Sequence, residues 1–131
     1  MQRQMLKPKI HRATVTGCDV DYIGSVTIDT DLLEQADILP NELVHVWDIT
    51  NGSRFVTYAI EGESGSGTVQ INGAAALLAG VGDKVIVASY ANYEESEMQS
   101  YAPVVVHVDD DNRSIGIDSD PGVLLGAEVA S

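Results

Sequence analysis

In the segment DVDYIGSVTID (residues 19–29), Gly24-Ser25 lies among Val20, Ile23, Val26 and Ile28, which read as strand. A mid-strand glycine packs nothing and costs conformational entropy, and a buried serine hydroxyl needs a partner. The pair nevertheless has a chemistry of its own. A serine hydroxyl can attack the carbonyl carbon of the peptide bond before it, turning the amide into an ester. Glycine on the carbonyl side permits the distorted backbone this needs, and a donor aimed at the developing oxyanion promotes it. Loss of the serine α-proton then expels the ester by β-elimination and leaves a dehydroalanine. Hydrolysis of its enamine or imine form yields an N-terminal pyruvoyl group, a ketone able to form a Schiff base with an amine and act as an electron sink. Gly-Ser is also common in plain turns, so the dipeptide alone does not decide.

Cations are scarce. The chain carries a net charge of −13, and its cations are Arg3, Lys7, Lys9, Arg12, Arg54, Lys84 and Arg113. Such a charge repels phosphates and weighs against nucleic acid, and a small anionic ligand would need one of these seven. Most surface cations are simply solvated. His11, His45 and His107 lack ligand-spaced partners, so no metal is expected. HVDDDN lacks the spacing and glycine of a calcium loop. GESGSG has no following lysine in the phosphate-loop pattern, and YIGSV lacks the second glycine of a nucleophile elbow.

The positioning elements follow from periodicity and turn chemistry. KIHRATVT (9–16), SVTI, LVHVWDI, SRFVTYAI, TVQI, KVIVASYA and PVVVHV read as strands. DTDLLEQADIL reads as a short helix capped by Asp29 or Thr30 and ended by the turn residues Pro40-Asn41-Glu42. Thr50-Asn51-Gly52 marks a hairpin. On the strand after it, Arg54, Val56, Tyr58 and Ile60 share one face, and Phe55, Thr57 and Ala59 the other. NGAAALLAG suggests a short apolar helix or helical turn opened by Asn72. The expected class is mostly β, with six or seven short strands, two short helices and a small closed barrel. Residues 109–131 turn acidic and glycine-rich and read as a mobile C-terminal tail after a 1–108 domain, although Val123-Leu124-Leu125 could dock on a neighbouring copy. One cysteine, Cys18, no apolar run of membrane-span length and no signal-peptide core point to a cytoplasmic protein with no membrane partner.

Several separate motifs, in order, carry a resemblance. ML (5–6), KIHRATVT, YIGSVTID (22–29), NGSRFVTYAI (51–60), GSG (65–67), NGAAA (72–76) and VGDKVIVASYA (81–91) closely resemble the aspartate 1-decarboxylase family, from about Met1 to Val108. The resemblance implies a double-psi β-barrel and a homotetramer with active sites shared between subunits. It implies self-cleavage between Gly24 and Ser25, with Ser25 becoming a covalent pyruvoyl cofactor, and decarboxylation of L-aspartate to β-alanine and CO2 for pantothenate and coenzyme A. By the same resemblance, Lys9 and Arg54 would hold substrate carboxylates, and Thr57 would polarise the Gly24 carbonyl during cleavage. Tyr58 would return a proton after CO2 leaves. Tyr22 and Asn72 would hydrogen-bond near the Schiff base, and the backbone at Gly73, Ala74 and Ala75 would line the pocket. Asp21, Ser64 and Leu77 depart from the family's common histidine, arginine and histidine, which bears on maturation; whether a helper protein promotes it stays open. The alternatives are a pyruvoyl decarboxylase of another amino acid and a non-catalytic barrel that binds a partner.

Overall fold

β-Branched residues dominate the apolar runs, and in the computed structural model, which describes residues 1–122, they form nine strands where six or seven were expected. These are β1 (Gln2–Thr14), β2 (Gly17–Asp19), β3 (Ser25–Asp29), β4 (Leu43–Asp48), β5 (Arg54–Gly62), β6 (Val69–Asn72), β7 (Lys84–Glu94), β8 (Val104–Val108) and β9 (Ser114–Asp118). Among the described residues helical structure is confined to α1 (Thr30–Ala36) and 3-10 turns at Gly73–Leu77 and Glu95–Glu97. The strands join one sheet in the order β2-β6-β3-β5-β4-β7-β1-β8-β9. Beyond β1, the Thr16 N–H donates to the Val69 carbonyl of β6 (2.8 Å), linking strands far apart in that order. This curl is consistent with a small barrel.

The core lies on the inner face. Ile10, Val26, Ile28, Val44, Val46, Ile71, Val85, Val87 and Val106 are buried there, and α1 adds Leu32, Leu33 and Ala36. In β4 the alternation is direct: Val44, Val46 and Asp48 point inward. The Asp29 side chain caps α1 through the Asp31 N–H, and its two oxygens also accept from Gly65 N and Gly67 N in the glycine-rich loop. The helix stops earlier than expected, at a left-handed Asp37 (φ 55°), before Pro40-Asn41-Glu42 is reached. The β4–β5 hairpin forms at Thr50–Gly52 as its Asn-Gly predicts.

Two expectations need correction. Residues 19–29 are not one strand: β2 ends at Asp19, β3 begins at Ser25, and Val20 and Ile23 are exposed in the segment between. Order also continues past Val108. β9 pairs antiparallel with β8, and Asn112 at the turn is buried. Its carboxamide accepts from Thr14 N (2.7 Å) and donates to the carbonyls of Thr14 and Gly67 (2.8 Å each). These bonds tie a segment of polar composition to β1 and to the glycine-rich loop. The rest of the expected tail, including Val123-Leu124-Leu125, lies outside the described residues.

Candidate active site

Ser25 is buried and opens β3, a strand that pairs with β5 in parallel from Val26 onward and with β6 in antiparallel fashion from Ser25. Its hydroxyl donates to the Ile23 carbonyl (2.9 Å) and accepts from Asn72 Nδ2 (3.1 Å). Asn72 stands directly opposite Ser25 in the β3–β6 register and is itself fully buried. Its carboxamide is fixed at both ends. Gln70 Nε2 donates to Oδ1 (2.8 Å), so Nδ2 faces the serine and also reaches Thr27 Oγ1 (2.9 Å). Asn72 therefore does not cap the 3-10 turn with its side chain, as its place before GAAAL suggests.

The next residue, Gly73, is left-handed (φ 73°) and packs on the backbone of Gly24. A Cβ at 73 would lie 2.5 Å from Gly24 Cα, 2.9 Å from Gly24 N and 3.3 Å from the Tyr22 carbonyl oxygen. A side chain at this position is excluded both sterically and conformationally. Gly24 differs: its φ is not left-handed, and a Cβ there would meet nothing within 4 Å. The folded chain needs glycine at 73 but makes no such demand at 24.

The β3–β5 register begins with Val26 opposite Ala59, and extending it one step sets Ser25 level with Tyr58, the neighbour of Thr57. Both β5 residues are half-buried. Ala74 and Ala75 follow Gly73 in the same 3-10 turn, with Ala74 exposed. Tyr22, Gly24, Ser25, Asn72 and Gly73 are thus gathered at one end of the β3-β6 pair, with Thr57 and Tyr58 on the neighbouring β5. Arg54 and Lys9 lie apart from this end. Arg54 precedes Tyr58 by four residues, about 13 Å along an extended strand, and its guanidinium lies over the Trp47 ring (5.2 Å). Lys9 lies on β1, between two register shifts that can re-aim its side chain, and donates to the Pro121 carbonyl (3.1 Å). Burial pushes its ammonium below the ordinary value, against the pull of Asp118.

Sequence reasoning missed two features. Thr27 shares Asn72 with Ser25, and its signal was the i, i+2 spacing that puts both hydroxyls on one strand face. His11 and His107 pair across β1 and β8, both buried, with rings edge to face at 5.8 Å. His107 Nε2 lies 3.0 Å from Asp118 Oδ2, whereas among the described residues neither ring nitrogen of His11 has a hydrogen-bond partner. Burial, with the Lys9 charge beside it, pushes His11 down to about 4, so it is neutral near pH 7. Among the described residues no cluster of three or more His, Cys, Asp or Glu is arranged to hold a metal ion.

Residues 1–115 match the aspartate decarboxylase family. The aspartate 1-decarboxylase of Thermoanaerobacter pseudethanolicus is 56% identical over 117 residues, spanning 89% of this chain and 100% of that protein. The family match runs past Val108 into β9, as does the ordered structure.

Proposed function

The chain belongs to the aspartate decarboxylase family, and from that premise we propose how its own residues carry the reaction. It is a decarboxylase that converts aspartate to β-alanine and CO2 in pantothenate synthesis. The observation that carries the rest of the reading is the Ser25 cradle, with a buried hydroxyl bonded to a fixed Asn72 amide and a Gly24 backbone packed closely on Gly73.

In this reading Ser25 Oγ attacks the Gly24 carbonyl carbon, and the C–N bond breaks as the amine leaves. Thr57, on the neighbouring β5, donates to the developing oxyanion. Because the folded chain places no demand for glycine at 24, its backbone freedom is available for the distortion the attack requires. Elimination then releases the Gly24 carboxylate, water enters, and ammonia leaves, converting residue 25 to a pyruvoyl group. Such a ketone supplies the sink for the electron pair freed when CO2 departs. The hydroxyl of Tyr58 returns the proton to the carbon that lost its carboxylate. Tyr22 and Asn72 hold the reacting groups by hydrogen bonds, and the backbone of Gly73, Ala74 and Ala75 lines the pocket.

Arg54 and Lys9 hold the substrate carboxylates. The guanidinium fork suits one of them bidentately, and the ammonium adds a point charge. Since neither reaches Ser25 along its own strand, we place them in the site of an adjacent copy within a homotetramer. Exposed Tyr22, Ile23, Leu77 and Val81 around the cleavage segment support that assembly, since apolar surface of this kind marks an interface. No described helix is long and apolar enough to cross a membrane, and we assign a cytoplasmic location from the biosynthetic role.

Intact-mass analysis of denatured protein tests the proposal. Two fragments are expected, residues 1–24 and a carbonyl-bearing piece starting at residue 25, and Ser25→Ala should give one uncut species without β-alanine production. An uncut wild-type chain that still decarboxylates aspartate would overturn the pyruvoyl reading.

A further inference from the structure

Gln70 stands opposite Thr27 in the β3–β6 register, and two residues further along the same face of β6 comes Asn72, opposite Ser25. The four side chains form one hydrogen-bonded set. Gln70 Nε2 donates to Asn72 Oδ1 (2.8 Å), and Asn72 Nδ2 donates to Ser25 Oγ (3.1 Å) and to Thr27 Oγ1 (2.9 Å). A primary amide carries two N–H donors on one side and an acceptor on the other, so the partner on Oδ1 decides which side Ser25 meets. Ser25 gives its one hydroxyl proton to the Ile23 carbonyl (2.9 Å). A turned-over Asn72 would therefore set Oδ1 against Ser25 Oγ with no proton between them, where both residues are buried.

Room for the Gln70 amide comes from β2. Gly17 lies level with Gln70 in the parallel β2–β6 register. A Cβ at 17 would stand 3.0 Å from Gln70 Oε1, 3.3 Å from Cγ and 3.4 Å from Cδ. The φ of Gly17 is not left-handed, so glycine serves space there and not a turn.

We propose that Gln70 is a positioning residue for maturation: by holding Asn72 Oδ1 it keeps Nδ2 on Ser25 Oγ while the hydroxyl becomes a nucleophile. The proposal rests on the self-cleavage reading given above. In that step a bond forms from Ser25 Oγ to the Gly24 carbonyl carbon, the C–N bond between the two residues breaks, and the hydroxyl proton ends on the freed amine. Negative charge gathers on Oγ as its proton departs. An N–H donor steadies that charge, whereas a carbonyl oxygen in the same place would repel it. Gly17 acts one step further back, by leaving the Gln70 amide its place, and Thr27 takes the second Nδ2 hydrogen.

Cleavage of newly made chains, followed by intact mass, tests this. Gln70→Met removes the donor at similar length and should slow cutting roughly fivefold, the worth of about one hydrogen bond. Gln70→Glu keeps the shape but turns an acceptor towards Oδ1, drawing the Asn72 donors away from Ser25. At about pH 7.5 its cutting should fall about a hundredfold, as for the loss of one oxyanion donor. A carboxyl pressed against a buried carbonyl binds its proton more tightly than usual, and once protonated it donates again. The Gln70→Glu rate relative to wild type should therefore recover as pH falls to about 5, while that of Gln70→Met stays level. Gly17→Ala should slow cutting while Gln70 is present and add nothing in a Gln70→Ala background. Wild-type cutting by Gln70→Glu at about pH 7.5, a deficit that low pH does not relieve, or equal Gly17→Ala effects in both backgrounds would overturn the positioning role. A wild-type chain that stays whole would instead show that the self-cleavage reading had failed.

Discussion

Gly73→Ala should damage both folding and maturation, by an amount set by the approach of two backbones. At φ 73° an L-residue pays about 1–2 kcal/mol for left-handed backbone. The new methyl carbon would then stand 2.5 Å from Gly24 Cα, inside any real contact, so the backbone must shift at an overpacking cost of about 1–3 kcal/mol. The total is about 2–5 kcal/mol. Gly82→Ala is the matched control, since it is also left-handed (φ 92°) but its Cβ would meet nothing within 4 Å, leaving the conformational cost alone. Stability is best compared by denaturant unfolding in a Ser25→Ala background, at equal protein concentration, so that cleavage and assembly do not confound the midpoint. In the native background, intact mass followed over time should show Gly73→Ala cutting far more slowly than Gly82→Ala, because Gly24 is the residue displaced. Equal stability losses and equal cleavage rates in the two variants would refute the argument.

Thr57→Val removes the proposed oxyanion donor at nearly constant shape; losing one such donor costs about 3–4 kcal/mol in the transition state, so cleavage followed by mass should almost stop. Tyr58→Phe should still cut between Gly24 and Ser25 yet release little β-alanine, and normal turnover would remove Tyr58 from its role. His11 binds its proton less tightly folded than unfolded, so stability should be full above about 6.5 and decline as pH falls towards about 4; His11→Phe should flatten that acid limb in thermal unfolding. Ending the chain after Val108 should lower stability, since it strips β9 and leaves the backbone groups of Thr14 and Gly67 without Asn112; each buried group so orphaned costs about 1–3 kcal/mol. Asn112→Ala should shift the urea midpoint in the same direction.

The strands of the core were legible because alternation and apolar runs report burial, and Asn51-Gly52 announced its hairpin. The division at residues 20–24 was not. Val20 and Ile23 match a strand pattern, yet their exposure is decided by where β6 and the Gly73 turn cross, which is long-range information. Asn112 was lost inside an acidic, glycine-containing stretch, because composition does not show that its carboxamide meets the backbone of Thr14 and Gly67. Ser25 and Asn72 were named from the resemblance, but their pairing across β3 and β6 depends on register.

The sheet order has a consequence for a chain cut at Gly24–Ser25. β1 runs between β7 and β8, and β2 lies against β6, so the short N-terminal piece is threaded through the long one by backbone hydrogen bonds and cannot simply diffuse away. The same threading makes maturation a one-way passage. The intact precursor folds as a single molecule at a rate independent of dilution, whereas the cut protein, once unfolded, must find its missing strands by a bimolecular encounter. Longevity of the mature protein would then rest on how slowly it opens, and the covalent link at residue 24 would serve as an intramolecular assembly aid, discarded once the strands are in place.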